Sequence, residues 1–223
     1  MVKVCVVIPA LNEAATIAEV VRAARAKVAD VVVVNDGSTD GCGDLAGAAG
    51  AHVINLPKRN GKGFALQQGF NYAREKGFDG VIAMDGDGQH APGDLGAFLE
   101  MIAKAPDSVI VGNRLNNAAN MPFVRKMTNR FMSWLISLAC GQPIPDTQCG
   151  YRYLGMNVIN TVRMSTKSYE IETEILMKSA KKGIKIFSVP VETIYRQEKS
   201  RIRPFRDTVN FIKYYVKELF SSR

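Results

Sequence analysis

Residues 81–90 of the chain read VIAMDGDGQH: four apolar residues are followed by Asp85, Asp87 and Gln89 at alternating positions. In an extended backbone alternating residues point to the same side, so two carboxylates and an amide oxygen converge where a buried strand ends. Oxygen ligands of this kind suit Mg²⁺ or Mn²⁺, which take their remaining ligands from water and phosphates. The segment therefore predicts a site for a divalent cation and a diphosphate, and hence an anionic nucleotide partner. Because Asp-Gly pairs are common in turns, a plain turn is the alternative interpretation.

The first half of the chain alternates apolar, β-branched runs with segments of helical periodicity. Strands are predicted at residues 2–8, where Pro9 is expected to end the strand, and at 31–34, 52–55, 80–84 and 108–111; helices are predicted at about 14–27, up to 49, 61–76 and from Pro92. This alternation predicts an α/β fold with a Rossmann-like, mostly parallel sheet flanked by helices. Ligands bind such sheets beyond the carboxyl ends of the strands, where Asn12, Asp36 and Asp85 fall.

The second half is less regular. Residues 121–139 predict an amphipathic helix whose apolar line we interpret mainly as core: Phe123, Met127, Phe131, Trp134, Leu135 and Leu138. A loop with a short strand (142–152), a helix (169–181) and a strand (184–190) follow. Residues 204–223 form a basic amphipathic segment that predicts a helix docked either on a membrane surface or on protein. We therefore expect one domain over residues 1–203, followed by this helix.

Composition limits the function classes. The net charge is +8, from 29 basic and 21 acidic residues, and the basic excess is concentrated in residues 181–206. Such a patch suits anionic lipid or phosphorylated substrates, and no nucleic-acid-binding motif accompanies it. The four cysteines form no CxxC pair, and no apolar run reaches the about 18 residues of a spanning helix. We expect reduced thiols in a cytoplasmic protein that is peripheral on the membrane.

Six segments resemble, in order, the motifs of the inverting family 2 glycosyltransferases, which have the GT-A fold. They are VVIPALNE (6–13), VVVVNDGSTDG (31–41), NGKGFALQQGF (60–70), MDGDGQH (84–90), VGNR (111–114) and DTQCGYR (146–152). Within this family, the placement of Asn129 and Arg130, DTQCGYR and YRQEKSRIRPFRD (195–207) resemble dolichyl-phosphate mannose synthases and polyprenyl-phosphate glycosyltransferases. One departure is Asn35, which stands where the family usually has the first of two aspartates, while Asp36 keeps the second.

The resemblance implies a role for each matching residue at the donor site. The nucleotide-binding set is Pro9, Ala10, Asn12, Glu13, Asp36, Lys62, Asp85 and Gly86. Asp36 is expected to accept a hydrogen bond from the base, and helix capping is its alternative role. For Lys62 the alternative is a solvated surface position. Asp85, Asp87 and Gln89 are the expected ligands of Mg²⁺ or Mn²⁺, with Asp87 also catalytic. Glu172 and Glu174 resemble acidic positions of the family.

The resemblance also implies a polyprenyl phosphate as acceptor, which is already anionic and has little need of a base. The expected acceptor-phosphate set is Arg114, Arg130, Ser133, Arg196, Ser200 and Arg201. For each arginine a surface salt bridge is the alternative. Arg130 is counted as catalytic, and so is Asp146, which would act as base or orienting residue if the acceptor were a hydroxyl. Transfer to a saccharide or other hydroxyl is therefore the alternative function. A non-catalytic module that binds acidic membranes is a further alternative, against which the intact Asp85, Asp87 and Gln89 argue.

Overall fold

The computed structural model describes residues 2–115, 121–166, 168, 170–194 and 215. Seven strands make one sheet: β1 Val4–Ala10, β2 Val31–Asn35, β3 His52–Asn55, β4 Gly80–Ala83, β5 Val109–Asn113, β6 Arg152–Gly155 and β7 Ile186–Pro190. Seven helices lie in the described residues: α1 Ile17–Arg25, α2 Cys42–Ala48, α3 Lys62–Glu75, α4 Leu95–Lys104, α5 Phe123–Cys140, α6 Met156–Thr161 and α7 Ile171–Lys181. The predicted α/β fold is confirmed.

The strand order is β3-β2-β1-β4-β6-β5-β7, and every neighbouring pair is parallel except the two that involve β6. The chain first builds the sheet from β1 towards β3 and then returns to the other side of β1 with β4. This reversal creates a crevice between the carboxyl ends of β1 and β4, which is where open α/β sheets bind ligands. Asn12 follows β1 and Asp85 follows β4, so both lie at this end of the sheet.

Burial explains why the strands read as continuous apolar runs. Val31, Val32, Val33 and Val34 are all buried, as expected for a parallel sheet covered on both faces. Helix α3 packs against β1, and Gly69 permits the close approach because a Cβ at this position would collide with the side chain of Val7. The result is a single core that continues across the sheet.

Two predictions about individual elements were wrong. Pro9 does not end β1, which continues to Ala10; pairing with β4 stops at Val7, so Pro9 has only β2 as a neighbour and needs fewer ladder hydrogen bonds. The apolar line of α5 is not core: Phe123, Phe131 and Trp134 are 75%, 58% and 58% exposed. The buried face of α5 is instead formed by Asn129, Ser133, Ile136 and Cys140.

Helix α6 was not predicted, and the antiparallel direction of β6 was not predicted either. The expected helix at 204–223 lies outside the described residues, apart from Tyr215. Within the part of the chain that the structure describes, no helix has both the length and the apolar character needed to cross a bilayer.

Candidate active site

The loops that follow β1 and β2 are joined by hydrogen bonds at the crevice. The backbone N–H of Asn12 donates to Ser38 Oγ (2.9 Å), and the N–H of Thr39 donates to Asn12 Oδ1 (2.9 Å). Asn12 has a φ of 52°, a left-handed conformation that Asn tolerates better than most residues. The predicted nucleotide-binding segment 9–13 is therefore held in one shape before any ligand arrives.

Asp36 is almost completely buried, and both of its carboxylate oxygens are used within the protein. They accept hydrogen bonds from the backbone N–H groups of Asn60 (2.7 Å) and Gly61 (2.8 Å). Asp36 therefore fixes the loop that leads into α3. Its predicted contact with a nucleotide base stays a prediction.

Asn35, the departure from the family pattern, has a structural role in the same region. Its Nδ2 donates to Asn55 Oδ1 at the end of β3 (2.8 Å), and its Oδ1 accepts from the N–H of Ser38 (3.0 Å). An aspartate could supply the acceptor but not the donor. The amide therefore suits a pair in which Asn55 presents its oxygen.

Asp85 lies at the centre of the crevice, between two partners. Lys62 Nζ lies 2.6 Å from Asp85 Oδ1, and His90 Nε2 lies 3.1 Å from Asp85 Oδ2. Burial alone would raise the pKa of Asp85, but the charge of Lys62 and the hydrogen bond with His90 hold that pKa well below its usual range. Asp85 is therefore an ionised carboxylate at neutral pH.

Lys62 is not a solvated surface lysine, which had been the alternative interpretation. Its ammonium also lies 2.7 Å from Glu172 Oε1, at the start of α7, and its side chain is only 17% exposed. Burial would lower the pKa of Lys62, but the charges of Asp85 and Glu172 outweigh this effect and raise the pKa. A fixed positive charge therefore stands at the amino end of α3, beside the predicted metal ligand.

Asp87 supplies the second carboxylate. Its Oδ1 accepts a hydrogen bond from the N–H of Gln89 (2.9 Å), while burial and the charge of Asp85 raise its pKa. Repulsion between Asp85 and Asp87 means that a cation between them would relieve an unfavourable arrangement. The pair fits a divalent ion that takes its other ligands from phosphates and water.

No three His, Cys, Asp or Glu side chains of the described residues form a cluster that could hold a metal ion by themselves. A metal at Asp85 and Asp87 would therefore depend on ligands brought by the nucleotide. Gln89 is placed only by its backbone, since its carbonyl accepts from the N–H of Ile194 (3.0 Å). Its role as a ligand stays a prediction.

Arg114 and Asp146 form a buried, two-point ion pair. Arg114 Nε and Nη2 donate to Asp146 Oδ2 (2.8 Å) and Oδ1 (3.0 Å), and Asp146 also accepts from the N–H of Gln148 (3.1 Å). Asp146 is completely buried. The geometry favours a positioning pair that shapes the loop 146–151. A base role for Asp146 and a phosphate contact for Arg114 stay predictions.

The other predicted acceptor residues of the described chain lie on α5. Ser133 Oγ accepts from the N–H of Thr147 (2.9 Å), so this buried serine fastens α5 to the loop 146–151. Arg130 is exposed one turn earlier on the same helix. Arg196, Ser200 and Arg201 lie outside the described residues.

Sequence reasoning missed Arg152 as a central residue of the site. Its guanidinium is buried and donates to the carbonyls of Cys149 (2.7 Å) and Thr147 (2.6 Å), and it lies 3.8 Å from the Glu172 carboxylate. It therefore links the loop 146–151 to α7. The available signal was its place at the end of the segment DTQCGYR, in the predicted loop and short strand of 142–152.

Of the two glutamates on α7, only Glu172 reaches the crevice. Glu174 accepts hydrogen bonds from Ser165, Thr166 and Lys178 and holds the loop that precedes α7. Burial would raise the pKa of Glu174, but these hydrogen bonds, that of Lys178 foremost, lower it. Glu174 is therefore a structural residue in this fold.

Comparison with known proteins assigns this arrangement to a family. Residues 5–163 match the sequence model described as "Glycosyl transferase family 2". The chain belongs to this family. The match spans the loops after β1, β2 and β4 and the loop 146–151, which are the segments that build the crevice. The chain is therefore a glycosyltransferase, as predicted.

Two curated relatives of this family 2 chain are similar over most of its length. Glycosyltransferase AglJ of Haloferax volcanii is 32% identical over 209 residues, covering 92% of this chain and 68% of that protein. An undecaprenyl-phosphate mannosyltransferase of Micrococcus luteus is 30% identical over 207 residues, covering 87% of this chain and 85% of that protein.

Among solved structures, glucosyl-3-phosphoglycerate synthase of Mycobacterium tuberculosis, crystallised with Mn²⁺, UDP and glucosyl-3-phosphoglycerate, superimposes with a TM-score of 0.72. The match covers 98% of this chain and 79% of that one, at 20% identity. The predicted GT-A fold is thereby confirmed.

Proposed function

We propose that this glycosyltransferase moves a hexose from a nucleotide-diphosphate sugar to a polyprenyl or dolichyl phosphate, as a peripheral protein on the cytoplasmic face of a membrane. One observation supports the donor half above all others: Asp85, ionised and flanked by Lys62, stands beside Asp87 at the reversal point of the sheet. This combination offers anionic ligands for a cation and a cationic group for phosphates at the same place.

The donor is held by groups of both charges. When bound, a divalent cation on Asp85 and Asp87 would offset the negative charge that develops on the leaving diphosphate. Lys62, whose ammonium lies 2.6 Å from Asp85 Oδ1, would attract the same phosphates. The segment 9–13 and Asp36 would contact the nucleoside, because they lie at the carboxyl ends of β1 and β2, at the same end of the sheet as the crevice.

The acceptor half is supported by the M. luteus relative, whose name gives undecaprenyl phosphate as its acceptor. In the proposed reaction a phosphate oxygen of the acceptor forms a bond to the anomeric carbon while the bond to the diphosphate breaks. The attacking oxygen is already anionic, so no residue has to remove a proton. A hydroxyl acceptor would need a base, and the oxygens of Asp146 are already engaged by Arg114.

The acceptor is tested by comparing two lipids that differ only in the phosphate. The protein is incubated with Mn²⁺ or Mg²⁺, with GDP-mannose, UDP-glucose or UDP-N-acetylglucosamine, and with either polyprenyl phosphate or the same polyprenol. Mass spectrometry of the lipid fraction should show glycosylated polyprenyl phosphate and no glycosylated polyprenol. Transfer to the alcohol or to a saccharide, but not to the phosphate, would overturn the proposal.

Two variants separate the donor site from the acceptor site. Asp85→Asn should abolish cation-dependent binding of the donor in calorimetry, whereas Asp44→Asn, an exposed acid on α2, should not. Arg130→Ala should abolish transfer while the donor still binds, and Arg22→Ala, an exposed arginine on α1, serves as its control. Full transfer by Arg130→Ala would remove this arginine from the acceptor site.

A further inference from the structure

The outward face of α5 is the most apolar exposed surface of the described chain. We define it by six side chains that are between 47% and 76% exposed: Phe123, Val124, Met127, Phe131, Trp134 and Leu138. At 100° per residue these six fall within one sector of about 100° of the helix, so they form a continuous stripe. A contiguous apolar stripe of this size on a soluble protein marks an interaction site.

Charge identifies the kind of partner that suits the outward face. Helix α5 contains Arg125, Lys126 and Arg130 and no acidic residue. At 100° per residue, Arg130 and Lys126 lie about 20° and 60° outside one edge of the stripe, whereas Arg125 lies about 100° outside the other edge, next to the buried face. An apolar stripe that carries a tryptophan and is bordered by cations is the pattern of helices that lie in the interface of anionic membranes.

Two other occupants fit the charges less well. In a symmetric contact with a second copy, the same face is used twice, so Lys126 and Arg130 would meet the same two cations of the other copy. The segment 204–223 of this chain carries four basic and two acidic residues, so it is also positive. Tyr215 of that segment donates a hydrogen bond to the carbonyl of Leu135 at the edge of α5, and the six side chains nevertheless remain exposed.

The opposite face of α5 is connected to the candidate active site. Ser133 points inward and accepts the hydrogen bond from Thr147, at the start of the loop that carries Gly150. Gly150 in turn lies against Asp85 and Lys62. Since an α-helix with its side chains is about 10–12 Å in diameter, a surface that touches the outward face lies close to this loop.

We propose that the outward face of α5 docks onto an anionic lipid bilayer and lays the active-site crevice along the membrane surface. The apolar side chains enter the boundary between headgroups and acyl chains, and Lys126 and Arg130 contact lipid phosphates. This inference rests on the peripheral membrane placement in the proposed function and deepens it by naming the face that meets the lipid. Docking on lipid explains why α5 buries the polar residues Asn129 and Ser133 and exposes its largest apolar residues.

The only tryptophan of the chain, Trp134, lies on this face and reports on it directly. Its emission is measured with vesicles of phosphatidylcholine alone or mixed with phosphatidylglycerol, without donor or acceptor. We expect a blue shift and quenching by brominated acyl chains with the anionic vesicles only. An emission that is already blue-shifted in vesicle-free protein, or that is unchanged by anionic vesicles, would overturn the proposal, because the face would then be covered by protein or would not bind lipid.

Matched variants separate the apolar and the electrostatic contributions. Phe131→Ser/Leu138→Ser keeps Trp134 and should weaken binding to anionic vesicles by at least about tenfold, since each side chain is a large apolar group that would be buried. Leu45→Ser, a 41% exposed leucine on α2, should bind as the wild type does. Lys126→Glu should weaken binding by roughly fivefold or more, whereas Arg125→Glu, next to the buried face of α5, should weaken it less.

Failure of the proposed docking surface can be distinguished from failure of the proposed function. Membrane binding is measured without any sugar or acceptor, and transfer is measured in detergent, where no bilayer is present. Transfer in detergent without vesicle binding would overturn the docking surface alone. Vesicle binding without transfer to a lipid phosphate would support the docking surface and contradict the proposed acceptor. Equal binding by the wild type and the Phe131→Ser/Leu138→Ser variant would also reject the outward face as the docking site.

Discussion

Gly150 is the residue at which one methyl group should disturb the candidate active site most. A Cβ at this position would lie 2.6 Å from Asp85 Oδ2 and 3.0 Å from Lys62 Nζ, whereas ordinary contacts begin at 3.4 Å. In Gly150→Ala, the Asp85 carboxylate or the loop 146–151 must therefore move by about 0.8 Å, the difference between 2.6 and 3.4 Å. Because Asp85 is the proposed metal ligand, the position of the cation and the donor would shift with it.

The size of the effect follows from this displacement. If the Asp85–Lys62 separation grows from 2.6 Å by the same amount, their attraction falls by about 1.5 kcal/mol at an effective dielectric constant of about 20. A misplacement of nearly 1 Å costs a reaction about a hundredfold in rate, which is about 2.7 kcal/mol. We therefore expect Gly150→Ala to lose about 1.5 kcal/mol of folding stability and about a hundredfold in turnover.

Turnover is measured with saturating donor and acceptor, cation affinity by the paramagnetic signal of free Mn²⁺, and stability by urea denaturation. Gly96→Ala is the control, because a Cβ there meets no atom within 4 Å and the residue lies in α4, where alanine is favourable. Gly150→Ala with wild-type turnover and cation affinity would refute the assignment of Asp85 to the reacting centre.

Three further predictions concern buried groups outside the donor site. Arg114→Met should lower the free energy of unfolding by about 3–5 kcal/mol in urea denaturation, because it leaves the Asp146 charge buried and unpaired. The double variant Arg114→Met/Asp146→Leu should recover part of this loss. Equal stability of the single and double variants would contradict the importance of the buried charge pair. Folding lowers the pKa of Glu174, so this residue should stabilise the protein at pH values above its ordinary pKa of 4.5, and the stabilisation should be lost as the pH falls through the lowered pKa. Glu174→Gln should therefore be less stable than the wild type at pH 7, and its stability should fall less between pH 7, 5 and 3.5 in denaturation series. All four cysteines are buried and burial raises the pKa of Cys149 to about 12, so iodoacetamide at pH 8 should label none of them in the folded protein and all of them in urea, as read by mass spectrometry.

Local sequence was sufficient for the elements whose signals are local. The parallel strands are buried on both faces, so they read as apolar runs, and β1 to β5 were found within a few residues of their bounds. The closeness of Asp85 and Asp87 was readable because they are neighbours in the chain, but residues 86–87 form a turn and not the extended backbone from which their common direction was predicted. The antiparallel β6 was missed as such, because strand direction depends on which neighbours the chain returns to.

The donor site was predicted in outline but not in its contacts. Lys62 and Glu172 are separated by 110 residues, and Arg114 and Asp146 by 32, so no periodicity or spacing joins either pair. Both ion pairs form only when α3, α7, β5 and the loop 146–151 come together beyond the carboxyl ends of the parallel strands. For the same reason, Arg152 gave no sign in the sequence that it would link this loop to α7.

By itself the sequence determined the α/β class, the place of the crevice and the acidic residues that stand in it, because hydrophobic periodicity and the order of strands and helices are properties of the chain. Only the tertiary structure decided that Asp85 is paired with Lys62 and His90, that Asp146 is enclosed by Arg114, and which side of α5 is buried. The periodicity of α5 shows that one side of the helix is apolar but not where that side faces. The contact between Ser133 and Thr147 turns the polar side inward and leaves the apolar side outward.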